Sequence, residues 1–393
     1  MTNAAAPPLT PDALIAAACE QTGLDDFGSD SFREGLEVYC EAVSAEAQLS
    51  AFGVEAVRGN VCGALVNRLR VVDWAKQHPE VADERIDAPI VVVGMFRAGT
   101  TFFSYLLDKD PNNRALLRWE ASDSVPPPDA AHLRDDPRVE RARASTALLD
   151  QINPRIKVVH NEEPDGPTEC ISVMSQDFKS LFWEALTNVP SYSSWLLGTD
   201  HRSAYEYHRT VLQLLQSGGA RGRWTLKSPH HAIALDPLTA VYPDARLVLL
   251  HRDPTVLVAS VCSLIRTLSG TFTDADHTRY IAEHWPNVLE ESIRRVDAFR
   301  AANPQQRIVD VHYRDLVTDP VETIQRLYAS FGEELSPEAS DAMRAHVAAR
   351  PKGKFGVHRY SLDEFGLDAG ELRERFAHYV ERYDIPPERP QAG

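Results

Sequence analysis

Residues 89–103, Pro-Ile-Val-Val-Val-Gly-Met-Phe-Arg-Ala-Gly-Thr-Thr-Phe-Phe, constrain the fold more than any other stretch of the chain. Ile90 to Val93 is short, apolar and β-branched, the pattern of a strand buried on both faces. Gly94 ends it. Gly99-Thr100-Thr101 then opens a helical pattern, with Phe102, Phe103, Leu106 and Leu107 on one stripe. Strand, glycine loop and helix start turn several backbone N–H groups toward one point and add the positive end of a helix dipole. Such a cradle suits a phosphate or sulfate group, although spacing alone fits an ordinary βα turn with two glycines equally well.

The loop's composition narrows the choice. A nucleoside triphosphatase or kinase would read G-x-x-x-x-G-K-[ST], with Lys on the β- and γ-phosphates and the hydroxyl on Mg²⁺. Gly94 and Gly99 have that spacing, but Thr100 stands where the Lys should be, and the cation sits inside the loop as Arg97. This arrangement favours a metal-free anion held by backbone, hydroxyls and a guanidinium fork. The kinase-like alternative would also need a strand-end Asp for its metal.

Gly94-Met-Phe-Arg-Ala-Gly-Thr-Thr101 resembles the 5′-phosphosulfate loop of sulfotransferases that use 3′-phosphoadenosine 5′-phosphosulfate (PAPS). The arginine form is similar to that of the bacterial and tyrosylprotein enzymes; the cytosolic steroid and phenol enzymes usually carry Lys there. The resemblance covers residues 87 to about 366. It implies a three-layer α/β fold, a mostly parallel sheet with helices on both faces in the P-loop-like sulfotransferase arrangement. It also implies PAPS as co-substrate with no metal, and a hydroxyl of a small or lipid-like acceptor as the partner.

Composition is compatible with that reading. The formal net charge of −16 argues against a nucleic-acid surface, so a polyanionic ligand must meet a local basic cluster. No segment approaches the roughly 18 apolar residues of a membrane span. The start, Met-Thr-Asn-Ala-Ala-Ala-Pro-Pro, lacks the basic and apolar regions of a secretory signal. Five scattered cysteines without metal spacing read as reduced side chains of a cytoplasmic protein.

Residues 1–85 read as an N-terminal helical segment: a tail, a helix from Pro11 behind Thr10, then helical spacing over 31–45 and 54–77. Its apolar stripe must lie on something, with a cover over the acceptor site and a homo-oligomer face as the two roles open to it. Residues 86–393 read as the α/β domain, with strands also at 223–227, 246–250 and 307–311. A strand-like stretch is expected at 115–119 and a continuous helix at 168–185. A basic loop at about 350–366 precedes a terminal helix near 369–382.

The resemblance assigns roles along this frame. Arg97, Ala98, Gly99, Thr100 and Thr101 would hold the phosphosulfate. Arg252, after the strand 246–250, and Ser260, eight residues on, resemble the family's 3′-phosphate pair. Lys354 and Arg359 lie in a segment similar to the one that closes over that phosphate. Lys227, at the end of Trp224-Thr225-Leu226, takes the place of the lysine that with Arg97 stabilises charge on the leaving oxygen. Glu120, expected to be partly desolvated beside Trp119, stands where the bacterial and tyrosylprotein branches keep their general base. The cytosolic branch instead has a His two residues after its lysine. Here that position is Pro229, so His230, His231 and His160 remain substitutes for the base. Aromatics in 120–210 would line the acceptor pocket or belong to the core. A non-catalytic nucleotide-binding protein is the remaining alternative.

Overall fold

The computed structural model describes residues 9–160, 162–350 and 359–388. Five parallel strands form one sheet: β1 (Ile90–Gly94), β2 (Asn113–Ala115), β3 (Arg223–Ser228), β4 (Arg246–His251) and β5 (Ile308–His312), in the order β2-β3-β1-β4-β5. The expected fold class is therefore observed, with helices on both faces. Strand periodicity splits β1 between two cores. Val91 and Val93 face a cluster that includes Leu226, Leu247 and Leu249, whereas Ile90 and Val92 face one built with Val248, Leu250, Leu257 and Trp285. Because β1 is central, β3 and β4 lie on either side of it, with Val92 opposite Lys227 and Gly94 opposite Leu250. Connections leave in opposite directions from this point, which is where open α/β sheets form a crevice beyond the strand ends.

The N-terminal helices α1 (Pro11–Thr22), α2 (Ser31–Glu46) and α3 (Ala51–Gln77) pack into the same core as Val91 and Val93, through Leu14, Phe32, Leu65 and Leu69. Arg68 on α3 carries the attachment. Its guanidinium pairs with Asp177 at 3.0 Å with both side chains buried, and Ser31 Oγ donates to the same carboxylate at 2.5 Å. Asn67 Nδ2 donates to Gln176 Oε1 and Ser124 Oγ at 2.9 and 3.0 Å. Removing one partner of such a pair strands a buried charge at a cost of about 3–5 kcal/mol.

Following β1, α4 (Thr100–Leu107) starts at the glycine loop. Two sequence expectations shift in detail. The strand near 115–119 is shorter and earlier, and α5 (Arg118–Ser122) follows it, because the Glu120 carboxylate turns back to accept the Leu117 N–H at 3.0 Å. The helix expected over 168–185 is broken into pieces: Phe178 adopts φ +54°, and Ser180 Oγ caps a new helix by accepting the Phe182 N–H. Two further helices follow: α6 (Pro137–Ile152), which packs on α5, and α7 (Arg155–Val159), which packs on the helix Pro254–Ser269. No helix of the described residues is long and apolar enough to cross a membrane.

Candidate active site

The loop after β1 is shaped by two tight approaches. A Cβ on Gly94 would stand 2.7 Å from Thr100 Cγ2, and one on Gly99 would stand 2.7 Å from the Tyr313 ring. Gly99 also has φ +94°, which favours glycine. Arg97 takes φ +70°, a cost to a residue with a Cβ, and Arg252 Nη1 offsets it by donating to the Arg97 carbonyl at 2.9 Å. The first-turn amides of α4 precede any intrahelical acceptor and so face the loop with their donors free for an anion.

Arg97 and the distant pair come together here. Arg97 Nε donates to Ser260 Oγ at 3.1 Å, and Ser260 is buried on the helix Pro254–Ser269 that follows β4. The Arg252 guanidinium lies 3.9 Å over the Tyr313 ring, the same ring that abuts Gly99. Arg97 has no carboxylate partner among the described residues. Burial, with the Arg252 charge adding to it, holds its pKa below the ordinary arginine value. A half-buried guanidinium beside a second one, with no carboxylate paired to it among the described residues, has donors that suit an anion. Arg252 is itself paired with Glu388, whose carboxylate takes Nη2 and Nε at 3.0 Å.

Lys227 emerges at the end of β3. Its ammonium lies 3.3 Å from Thr101 Oγ1, 3.4 Å from Glu162 and 3.2 Å from Glu169. The strap carrying these carboxylates is pinned across the strand ends: Thr168 N–H donates to Leu116 C=O and Cys170 N–H donates to Lys227 C=O, each at 2.8 Å. Burial alone would push the Lys227 pKa down, but Glu169 and Glu162 outweigh it and the group stays an ammonium. For Glu162, burial pushes the pKa up, yet Lys227, His160 and Arg118 win and keep it an anion. His160 Nε2 is 3.6 Å from Glu162. Burial, reinforced by Lys227 and Arg97, lowers the His160 pKa against the pull of the two carboxylates, so the imidazole is neutral near pH 7.

Glu120 sits elsewhere. Fully buried, it forms an ion pair with Arg114 through both oxygens while accepting the Leu117 N–H. His230 is also fully buried, with Nε2 3.1 Å from His201 Nδ1. Burial first, then the neighbouring histidines, keep its pKa well down. His231 pairs with the Tyr205 hydroxyl at 2.9 Å. Arg359 is exposed, and Lys354 lies outside the described residues.

A cavity of about 530 Å³ opens beside this cluster. Its walls include His160, Glu162 and Glu169, Trp119 and Phe182, and Gly59, Asn60 and Gly63 of α3. The N-terminal segment thus contributes one wall. Glu162, in an acidic stretch, and Glu169, at the start of the helix expected over 168–185, had no further signal in the sequence; their meaning comes from Lys227, 65 and 58 positions away. Among the described residues no group of three or more His, Cys, Asp or Glu is placed to hold a metal.

Comparison with known proteins identifies relatives of the chain. A sequence model described as the Sulfotransferase family matches residues 89–337. The crystal structure of sulfotransferase STF9 from Mycobacterium avium superposes with a TM-score of 0.86 at 34% identity, covering 99% of both chains. Sulfotransferase STF1 from Mycobacterium tuberculosis H37Rv gives 0.85 at 35% identity, over 95% of this chain and all of that one. A curated relative, the omega-hydroxy-beta-dihydromenaquinone-9 sulfotransferase Stf3 of Mycobacterium bovis, is 22% identical over 78% of this chain and 77% of its own length.

Proposed function

The chain belongs to the sulfotransferase family, and from that premise we propose that it transfers a sulfuryl group from PAPS to a hydroxyl of a lipid-like acceptor. The carrying observation is the half-buried Arg97 guanidinium, without a carboxylate partner among the described residues, bonded to Ser260 and beside Arg252. In this reading the amides of Gly99, Thr100 and Thr101, with Arg97, hold the phosphosulfate, and Arg252 with Ser260 holds the 3′-phosphate. The site's donors suit an anion bearing both groups. The lipid-like character of the acceptor draws on the menaquinone derivative in the Stf3 name and on the partly apolar cavity wall.

His160 is the proposed general base. It lines the cavity, is neutral near pH 7, and has Glu162 beside it to stabilise the imidazolium it becomes. As the acceptor oxygen bonds to sulfur, its proton passes to His160, the bond between sulfur and the 5′-phosphate oxygen breaks, and adenosine 3′,5′-bisphosphate leaves. Lys227 and Arg97 stand where charge grows on that departing oxygen, so most of the catalysis is positioning and charge stabilisation. Glu120 is less suited to this role, because Arg114 and the Leu117 amide already occupy its oxygens.

Thermal-shift titration tests the nucleotide assignment. Adenosine 3′,5′-bisphosphate should raise the melting temperature, since it binds only the native state. AMP, lacking the 3′-phosphate, should raise it far less. Equal shifts for the two nucleotides, or none, would remove the basis for PAPS. Radiolabelled PAPS offered with hydroxyl-bearing lipids, phenols and sugars then identifies the acceptor class.

A further inference from the structure

Large apolar side chains are rarely left in water without a use when they cluster. Five stand out as exposed among the described residues: Phe52 (45%), Leu148 (58%), Ile152 (42%), Val158 (37%) and Val317 (49%). Four of them converge. Leu148 and Ile152 are one turn apart on α6, and Val158 follows on α7. Asn153, next to Ile152, donates through Nδ2 to Thr267 C=O at 2.9 Å and Thr271 Oγ1 at 2.8 Å. The same turn holds the start of α3 from its other side: Ser50 N–H donates to Phe272 C=O, and Thr273 Oγ1 to Gln48 C=O. Phe52 and Ile152 therefore flank one turn.

That turn also borders the cavity. Leu268, Leu149, Asp150, Ile156 and Lys157 line the cavity and are interleaved with the exposed residues. On α3, Phe52 lies on the same stripe as Gly59 and Gly63, which line the cavity about 10 and 16 Å further along the helix. Charge adds to the pattern. In a chain of net charge −16, the exposed Arg155 and Lys157 carry no ion pair among the described residues, and both stand on α7 beside Val158.

We infer that the α6–α7 end, with Phe52, docks on the surface of an anionic lipid bilayer, so that an acceptor passes from the membrane into the cavity. Apolar side chains entering the headgroup boundary, with cations beside them, are what holds a peripheral protein to such a surface. The inference rests on the lipid-like acceptor proposed above, because a water-soluble acceptor would need no such face. It adds a location for the uptake step and four residues that carry it.

The test is co-sedimentation of the full chain with phosphatidylcholine vesicles, with and without phosphatidylglycerol, in the absence of nucleotide. Wild type should pellet with the anionic vesicles and much less with neutral ones, and added salt should release it. The triple variant Leu148→Glu, Ile152→Glu, Val158→Glu should bind at least about tenfold more weakly. Val317→Glu, on another face, should bind as wild type. Equal melting temperatures would show that the variants fold, as expected for exposed positions. Wild type that stays in solution with both vesicles, or a triple variant that pellets fully, overturns the inference. So does self-association through this face without lipid. Because binding is read without turnover, the two readings separate. Vesicle binding with no lipid sulfated would sink the acceptor assignment and the uptake step with it but leave the docking face, and sulfated lipid without vesicle binding would sink the docking face alone.

Discussion

Arg97 Nε donates to Ser260 Oγ across 3.1 Å, although the two residues are 163 positions apart in the chain. The contact joins the loop after β1 to the helix after β4 and puts the two elements proposed to bind the nucleotide's anionic ends within one side chain's reach. Replacing Ser260 by Ala should weaken adenosine 3′,5′-bisphosphate binding by about tenfold, the scale of one hydrogen bond to a charged group, while changing AMP binding little. Calorimetric titration of both nucleotides checks this; an equal loss for both would take Ser260 away from the 3′-phosphate. Arg97→Lys keeps a charge but loses the fork, and should lower turnover strongly.

Glu388 occupies the Arg252 guanidinium with two-oxygen geometry and is itself anchored by its N–H to Asp253 Oδ2 at 2.8 Å. A 3′-phosphate reaching Arg252 must compete with that carboxylate. Glu388→Gln should therefore tighten adenosine 3′,5′-bisphosphate binding several-fold and leave AMP unaffected. A weaker Kd in this variant would show that Glu388 positions the arginine rather than competing for it.

His160→Ala should lower kcat by about 10²–10⁴-fold with nucleotide affinity nearly intact. In wild type the acid limb of the turnover profile should fall below pH 6.5, because the His160 pKa is pushed down from that ordinary value by burial, Lys227 and Arg97. Glu120→Ala should behave differently. It leaves Arg114 buried without its partner, at a cost of about 3–5 kcal/mol in stability, while turnover of the folded fraction persists. Lost chemistry in a stably folded Glu120 variant, with His160→Ala active, would return the base to Glu120.

Stability should fall as the solution is acidified below about pH 6.5. Burial lowers the pKa of His208 and His231 to about 3 and that of His201 to about 4, from an ordinary 6.5. Between those values the unfolded chain binds a proton at each position that the folded chain refuses, so acid favours unfolding. Each such group contributes up to about 1.4 kcal/mol per pH unit in this window. His208→Asn should flatten the dependence of denaturation midpoint on pH between 6.5 and 5 relative to wild type, whatever it does to the midpoint at pH 8; an unchanged slope would remove His208 from the effect.

The strand, glycine loop and helix start over 90–107 were legible because they are local. A four-residue β-branched run, two glycines and a helix start lie within fifteen positions, and each has few alternative meanings. Arg252 was legible for a similar reason, as a cation immediately past a buried strand. What stayed hidden depends on distant side chains. Glu120 reads as a loop carboxylate until Arg114 is seen turned onto it. Glu162 and Glu169 acquire a role only when the strap from 162 to 170 is laid over the end of β3. The break at Phe178 had no glycine or proline to announce it; a positive φ there is sustained by packing against Phe32 and Trp183.

The loop, Lys227 and Arg252 stand on three neighbouring parallel strands, whose register fixes their mutual spacing. Most of the cavity wall, by contrast, comes from helices and connecting segments beside the sheet. Divergence can therefore act on the two parts separately: descendants of such a chain could acquire new acceptors by altering α3, α6 and α7 while the donor grip is inherited unchanged.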